Sequence, residues 1–169
     1  MGCWLVIGGF MAGVMVAPTW GSGVHHRPVG QGRYTWGPFA LYDATLAAPG
    51  GVFSADRDFT LTLTYLRGLS GQRIAAASAD EMRRLECAVP QGQISAWEKD
   101  LTGIYPPVLE KGDILTGVML PDGKTRFLHN GTVVGEMADP HFGACFFDIW
   151  LSENTRDPAL RRALLGYKN

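Results

Sequence analysis

The histidines are the side chains of this sequence that could most readily bind a metal ion or move a proton. His25 and His26 are adjacent, but no second cluster of ligands supports them, and such a pair is usually solvated. His129 and His141 have no cysteine or carboxylate at the spacing of a metal site. We therefore predict no metal site and no cofactor.

The motifs of common enzyme classes are also missing from the sequence. The glycines at positions 8 and 9 precede no suitable helix for a phosphate-binding loop. No serine lies in a nucleophile elbow. The residues alone therefore indicate no particular catalytic chemistry, only a domain with an apolar interior.

Length and composition are typical of one globular domain. The chain has 169 residues, of which 46% are hydrophobic and 18% are charged, which is enough to bury a core. The formal net charge is −1, and the sequence has no long run of like charge. Nothing therefore favours binding to nucleic acid or to a membrane surface. The oligomeric state is left open.

An apolar segment lies at the N-terminus. Residues 3–17 read CWLVIGGFMAGVMVA, and no Lys or Arg precedes them. The segment is shorter than the roughly 20 residues of a bilayer crossing, and small residues follow it, as they do before a signal-peptide cleavage site. We predict a signal peptide or apolar leader over residues 1–23, a domain over residues 24–169, and a periplasmic or secreted location without a stable membrane span after processing. A membrane anchor and a buried element are the alternatives.

Cys87 and Cys145 would be the only cysteines left after removal of such a leader, because Cys3 lies within it. An oxidising compartment would permit one disulfide between them. Since no spacing motif is present, we favour two small, buried, unpaired side chains, with the disulfide as the alternative.

A strand followed by a helix is the clearest structural pattern. Residues 58–65 alternate between large apolar side chains and threonines, which is typical of a strand. Ser70 is a candidate N-cap, and the apolar spacing becomes helical from Gln72. The predicted apolar face of this helix comprises Ile74, Ala77, Ser78, Met82 and Leu85.

The remaining segments carry turn and cap signals. Asp122–Gly123 and Asn130–Gly131 predict tight turns, and Asp139–Pro140 and Asp157–Pro158 predict capped helix starts. The pattern predicts an α+β domain with an antiparallel sheet. The stretch 36–47 contains a predicted strand, PFALYDATLA, and further predicted strands cover residues 114–120, 125–129 and 132–137. A second predicted helix covers residues 91–104, and residues 24–32 are predicted to be a polar entry segment.

Four sequence blocks between residues 29 and 166 are GQGRYTWGPFALYDATL, FTLTLTYLRGLSGQRIAAASADEM, LEKGDILTGVMLPDGKTRFLHNGTVVGEMADP and FFDIWLSENTRDPALRRALLG. In this order they resemble the chalcone isomerase-like family, especially its compact bacterial members with export signals. The resemblance implies an open-faced β-sandwich, in which an antiparallel sheet has helices packed on one face. It also implies a cleft between the sheet and the helices.

The resemblance also bears on catalysis. Members that isomerise chalcones to flavanones carry a Tyr early in the helix after a Leu-x-Gly turn, a Lys three residues later and an Asn four residues after that. These positions hold Ile74, Ala77 and Glu81 here. Ile74 cannot donate a hydrogen bond to a developing enolate, and Ala77 has no charge to hold a phenolate. The resemblance thus implies that isomerase activity is lost.

Other relatives in this family bind fatty acids without catalysis, and the resemblance implies a non-catalytic protein with a small apolar or fatty-acid-like ligand in its cleft. Arg33 matches the family's cleft arginine and is a candidate ligand-binding residue, with Tyr42 or Tyr65 as a polar anchor. The alternative is that Arg33 is a surface charge and that both tyrosines belong to the core. An isomerase or intramolecular lyase that uses other residues is the second hypothesis, because a fold alone does not define a function. A protein-interaction module is the third.

Overall fold

The computed structural model describes residues 25–167, so the predicted leader over residues 1–23 lies outside the described residues. Helices and strands follow one another in the order expected of an α+β domain. They are β1 (His26–Trp36), β2 (Phe39–Pro49), β3 (Phe59–Tyr65), β4 (Leu69–Ser70), α1 (Gly71–Arg84), α2 (Gln93–Ile104), β5 (Val108–Leu109), β6 (Ile114–Met119), β7 (Thr125–His129), β8 (Thr132–Met137), α3 (Pro140–Leu151) and α4 (Pro158–Leu164).

Six of the strands form one antiparallel sheet in the order β1-β2-β3-β6-β7-β8. The short strands β4 and β5 pair separately. Helices α3 and α4 pack on the sheet, and α1 packs against α2 and α3. The predicted fold class, an antiparallel sheet with helices on one face, is confirmed.

The central strand β3 has the predicted alternation. Its residues Phe59, Leu61, Leu63 and Tyr65 are buried in the core between the sheet and the helices. The threonines lie on the other face, where Thr62 and the facing threonine of β6 place their hydroxyl oxygens 3.2 Å apart. The regular period of two therefore reflects one face that the helices cover and one face that no helix of residues 25–167 covers.

The prediction of a polar entry segment over residues 24–32 is wrong, because β1 begins at His26. This strand forms one edge of the sheet and is mostly exposed or half-buried, so it lacks the apolar alternation of a central strand. Its glycines have a packing role instead. A Cβ atom on Gly30 would collide with the carbonyl oxygens of Ala163 and Leu164, so glycine allows α4 to lie directly on this strand.

The start of helix α1 is as predicted, but its buried face is rotated. The Ser70 side chain accepts a hydrogen bond from the Arg73 backbone N–H and caps the helix. The predicted apolar face included Ile74 and Ala77. Ser78 and Met82 of that face are buried as predicted, but Ala75 and Ala79 are fully buried in place of Ile74 and Ala77, which line a cavity. The small side chains of Ala75 and Ala79 allow close packing on that side of the helix.

Cys87 and Cys145 form a disulfide, so the favoured prediction of two unpaired cysteines is wrong. Their Cα atoms are 5.8 Å apart, within the usual range for a disulfide. The bond joins the segment after α1 to the middle of α3, two elements that are 58 residues apart in the sequence. No sequence spacing could have indicated this, since only the packing of α3 beside α1 brings the two cysteines together.

No helix among residues 25–167 has both the length and the apolar character needed to cross a membrane. This finding concerns those residues alone.

The predicted hairpin between β7 and β8 is present, with Asn130 at φ 49° and Gly131 at φ 82°. Both central residues have positive φ, as a type I′ turn requires. We expect Gly131→Val to destabilise the protein by about 1–3 kcal/mol, because a β-branched residue is strained at this φ. Thermal unfolding measures the effect, and Thr132→Val on the neighbouring exposed residue is the control. Equal melting temperatures for the two variants would contradict the turn assignment.

Candidate functional site

A cavity of about 660 Å³ lies between the inner face of the sheet and the helices. Pockets that enclose small organic ligands have volumes of about 300–1,000 Å³. Its walls are mainly apolar and come from β3, β6, β7, α1 and α3. They include Leu61, Leu63, Leu115, Phe127, Phe146 and Phe147.

A glycine in β6 contributes to the shape of the cavity wall. Gly117 of β6 lies beneath the ring of Phe147, and a Cβ atom at this position would be only 3.1 Å from Phe147 Cε1. Because Gly117 has no side chain, the Phe147 ring can pack directly against the sheet. Phe147 in turn packs edge-on against Phe59, with ring centroids 4.7 Å apart.

A group of tyrosines supplies polar atoms to the otherwise apolar cavity. Tyr34 and Tyr42 stack at a centroid distance of 5.0 Å, and Tyr65 meets Tyr42 edge-on at 5.9 Å. The Trp150 indole N–H donates a 2.9 Å hydrogen bond to Tyr42 Oη, which orients that hydroxyl. Burial raises the pKa of Tyr42 and of Tyr65 well above the ordinary value, so both are neutral hydroxyls.

The predicted anchors Tyr42 and Tyr65 therefore lie together at the cavity, whereas Arg33 does not line it. Arg33 is on the opposite face of β1, where Nε and Nη2 bind the Asp43 carboxylate at 2.6 and 3.0 Å. Its side chain is 57% exposed. Arg33 was assigned to the cleft from the family resemblance, by its position after the Gly-x-Gly of residues 30–32, and strand β1 was not predicted there. In that strand Tyr34 points inward, so the preceding residue must point outward.

The charged residues of the cavity come instead from α1 and from the segment before α4. Arg73, Asp80, Glu81, Arg156 and Asp157 all line it. The Asp80 carboxylate forms an ion pair with Arg83, and Asp157 accepts a hydrogen bond from the Leu160 backbone N–H at the start of α4. Glu81 forms ion pairs with two arginines, at 2.8 Å from Arg84 Nε and at 2.7 Å from Arg156 Nε. The negative charge of Glu81 is therefore already compensated. The Arg73 guanidinium forms no ion pair with any residue in the described part of the chain.

Arg73 directly precedes Ile74 in the sequence. The sequence could have indicated Arg73 as a site residue only if the side of α1 that faces the cavity had been predicted correctly. Tyr105 was also missed as a site residue. In sequence it reads as part of the stop signal after α2, yet its side chain is buried and lines the cavity.

The positions that correspond to the catalytic residues of the isomerases face the same cavity. Ile74, Ala77 and Glu81 all line it. These positions lie on the side of α1 that faces the cavity. Ile74 and Ala77 have hydrocarbon side chains, and Glu81 is paired with two arginines. This arrangement can bind an apolar group next to a carboxylate that is already paired with two arginines. It holds no free proton donor on α1 where the family's catalytic Tyr and Lys would stand.

None of the described histidines lines the cavity, and apart from the adjacent His25 and His26 they lie on different elements. His26 Nε2 is 2.8 Å from Asp58, and His129 Nε2 is 3.2 Å from Asp113. Among residues 25–167, no group of three or more metal-binding side chains is assembled.

A six-stranded antiparallel sheet, with an apolar cavity between it and the helices, defines a small α+β domain. The protein belongs to the chalcone isomerase-like family, whose model matches residues 39–166. An uncharacterised protein of Haemophilus influenzae is 31% identical over 143 residues, which cover 84% of this chain and 69% of that protein. The recognition of this family from the sequence is confirmed.

The structure is also similar to the crystal structure of a fatty-acid binding protein of Arabidopsis thaliana. The TM-score is 0.64, and the match covers 83% of this chain and 87% of the plant chain at 13% sequence identity. At this identity the similarity establishes a shared fold.

Proposed function

We propose that this protein is a non-catalytic binder of a long-chain apolar acid, such as a fatty acid. The observation that carries the proposal is the mainly apolar cavity of about 660 Å³, with the guanidinium of Arg73, which forms no ion pair with a described residue, at its edge. Burial of the apolar chain would supply most of the free energy of binding, at about 25 cal/mol per Å² of surface removed from water. The fatty-acid binding protein of similar fold supports the choice of ligand.

Arg73 is the proposed partner of the ligand carboxylate. It lines the cavity and makes no ion pair with a described residue, whereas Arg156 already binds Glu81. A guanidinium can bind a carboxylate through two parallel hydrogen bonds, which also fixes the direction of the ligand. The Tyr42 hydroxyl oxygen accepts from Trp150 and keeps its own proton, so this hydroxyl can still donate to a ligand in the cavity.

The absence of catalysis in this proposal rests on the residues of α1. A chalcone isomerase stabilises negative charge on an oxygen as it develops, and removal of one positioned donor typically costs about 10²–10³-fold in rate. Ile74 and Ala77 remove two donors from the equivalent positions. Glu81 adds negative charge where the family carries a neutral amide.

Export from the cytoplasm is part of the proposal. Disulfides persist in oxidising compartments and are rare in the cytosol. The Cys87–Cys145 disulfide therefore supports a periplasmic or secreted protein, in agreement with the apolar leader predicted over residues 1–23.

We expect Arg73→Gln to weaken the binding of hexadecanoate to the delipidated protein by about tenfold, because a charged hydrogen bond is lost at a partly solvated site. Isothermal titration calorimetry measures the change. Arg33→Gln is the matched control, since it removes an arginine that lies outside the cavity, and it should leave the affinity within about twofold.

Methyl hexadecanoate provides the complementary ligand, because it keeps the chain and lacks the charge. Its affinity should be the same for the wild type and for Arg73→Gln. A larger loss with Arg33→Gln than with Arg73→Gln would contradict the assigned anchor. Turnover of a chalcone well above the spontaneous rate would contradict the non-catalytic part of the proposal.

A further inference from the structure

The turn between β1 and β2 carries exposed aromatic side chains at one end of the sheet. Trp36 and Phe39 are paired across the two-residue turn at positions 37 and 38, and they are 64% and 52% exposed. The surrounding stretch of residues 34–42, YTWGPFALY, contains no charged residue. Two adjacent aromatic side chains that are more than half exposed add little to the core, so packing within the chain does not explain them.

This turn lies beside the cavity. Trp36 is part of the cavity wall, together with Leu41 of β2 and Leu69 of β4, although most of its own surface is exposed. Phe39 does not line the cavity. Because Trp36 borders the cavity and also faces solvent, the cavity reaches the protein surface next to this residue.

Two arginines lie at the same end of the protein. The Arg67 guanidinium is 4.6 Å from the centroid of the Phe39 ring, and its side chain is exposed. Arg73, in the first turn of α1, is also exposed and lines the same cavity as Trp36. Neither arginine forms an ion pair with any residue in the range 25–167. Both positive charges are therefore available to an anionic partner.

The acidic residues of this region are balanced by other basic residues. Asp43, the acidic residue of β2, is paired with Arg33. Glu110 and Lys111 are adjacent in the turn before β6 and have opposite charges. Since the chain as a whole has a net charge of −1, attraction to an anionic surface must come from this local group of arginines.

We propose that this end of the protein docks on an anionic phospholipid bilayer through a hairpin-tip surface, which comprises Trp36, Phe39, Arg67 and Arg73. Tryptophan is enriched where proteins meet the membrane–water interface, and each basic residue near an anionic bilayer strengthens binding by about fivefold. Docking in this orientation places the opening of the cavity against the bilayer, so that a long-chain acid can enter without crossing water. This role in ligand transfer rests on the proposed function, whereas the docking itself does not.

Co-sedimentation of the delipidated full chain with vesicles tests the docking. Binding should be stronger to vesicles of phosphatidylcholine mixed with phosphatidylglycerol than to vesicles of phosphatidylcholine alone, and high salt should weaken it. The double variant Phe39→Ser/Arg67→Gln should bind the mixed vesicles about 50-fold more weakly, from about tenfold for the aromatic ring and about fivefold for the charge. Trp36→Ser alone should reduce binding by about tenfold.

Tyr167→Ser/Arg162→Gln is the matched control. It also removes an exposed aromatic ring and an exposed arginine that has no ion pair with a described residue, but at the C-terminal end of α4 and outside the cavity. Its binding to the mixed vesicles should stay within about twofold of the wild type. All of these substitutions change exposed side chains, so thermal unfolding should show that each variant is folded.

The docking and the proposed function fail in different ways. Phe39 and Arg67 do not line the cavity, so their double variant should bind hexadecanoate without vesicles within about twofold of the wild type. Absence of vesicle binding by the wild type, or equal binding by the wild type and this double variant, would overturn the docking and leave the proposed function standing. Vesicle docking by a wild type that binds no long-chain acid would contradict the proposed function alone.

Sedimentation velocity distinguishes a bilayer from a second copy of the chain. Self-association that depends on protein concentration and is abolished in Phe39→Ser/Arg67→Gln, in a wild type that binds no vesicles, would overturn the bilayer and assign the hairpin-tip surface to a second copy. A monomer that binds mixed vesicles through this surface would support the proposal.

Discussion

Ala77→Phe is expected to weaken the binding of hexadecanoate by at least about 100-fold, or roughly 2.8 kcal/mol. Ala77 lies on α1, is itself exposed, and faces the cavity. A phenyl ring at this position would occupy the volume that the ligand chain needs. The fold should tolerate the change, because the new side chain enters open space and Phe costs a helix only about 0.5 kcal/mol relative to Ala.

Ala96→Phe is the matched control for this experiment. Ala96 is an exposed residue of α2 that does not line the cavity, so the same substitution there tests the effect of an added aromatic ring alone. Calorimetry and thermal unfolding should be performed on both variants. Undiminished binding by Ala77→Phe would show that the ligand does not occupy this cavity.

Loss of the disulfide is expected to have the largest effect on stability. The bond closes a loop of 58 residues, for which the chain-entropy model gives a stabilisation of about 4 kcal/mol, and measured losses are commonly about 2–5 kcal/mol. Chemical denaturation of the double variant Cys87→Ala/Cys145→Ala should therefore show a much lower midpoint than that of the wild type. Truncation to Ala adds a smaller loss, because the buried Cys145 sulfur leaves a void.

Reduction provides the control that separates these effects. A thiol reductant should lower the denaturation midpoint of the wild type and leave that of the double Ala variant unchanged. A wild-type midpoint that does not respond to complete reduction would contradict a stabilising role of the bond.

Much of the sheet could be predicted because its signals are local. β3 alternates by itself, and the hairpin turn depends on two adjacent residues, Asn130 and Gly131. The starts of α3 and α4 could be predicted for the same reason, since Asp139 and Asp157 accept hydrogen bonds from backbone N–H groups two and three residues further along the chain. Such features are determined by neighbours in sequence, so they need no tertiary information.

The features that were missed depend on tertiary packing. β1 is a strand because it pairs with β2 and carries α4, and neither fact shows in its polar sequence. The rotation of α1, which brings Arg73 to the cavity, depends on how α1 packs against α2 and α3. Arg33 was expected to bind the ligand because the family resemblance matched it to a cleft arginine, and the direction of its side chain could not be assigned without the strand. The disulfide and Tyr105 likewise require contacts between distant segments.

Mass spectrometry of lipid extracted from the purified full chain tests the proposed function most directly. We expect the wild type to carry a long-chain acid in a stoichiometric amount, with the acid absent or strongly depleted in Ala77→Phe and retained in Ala96→Phe. The acid-binding proposal would be contradicted if the wild type and Ala77→Phe yielded the same lipids in the same amounts.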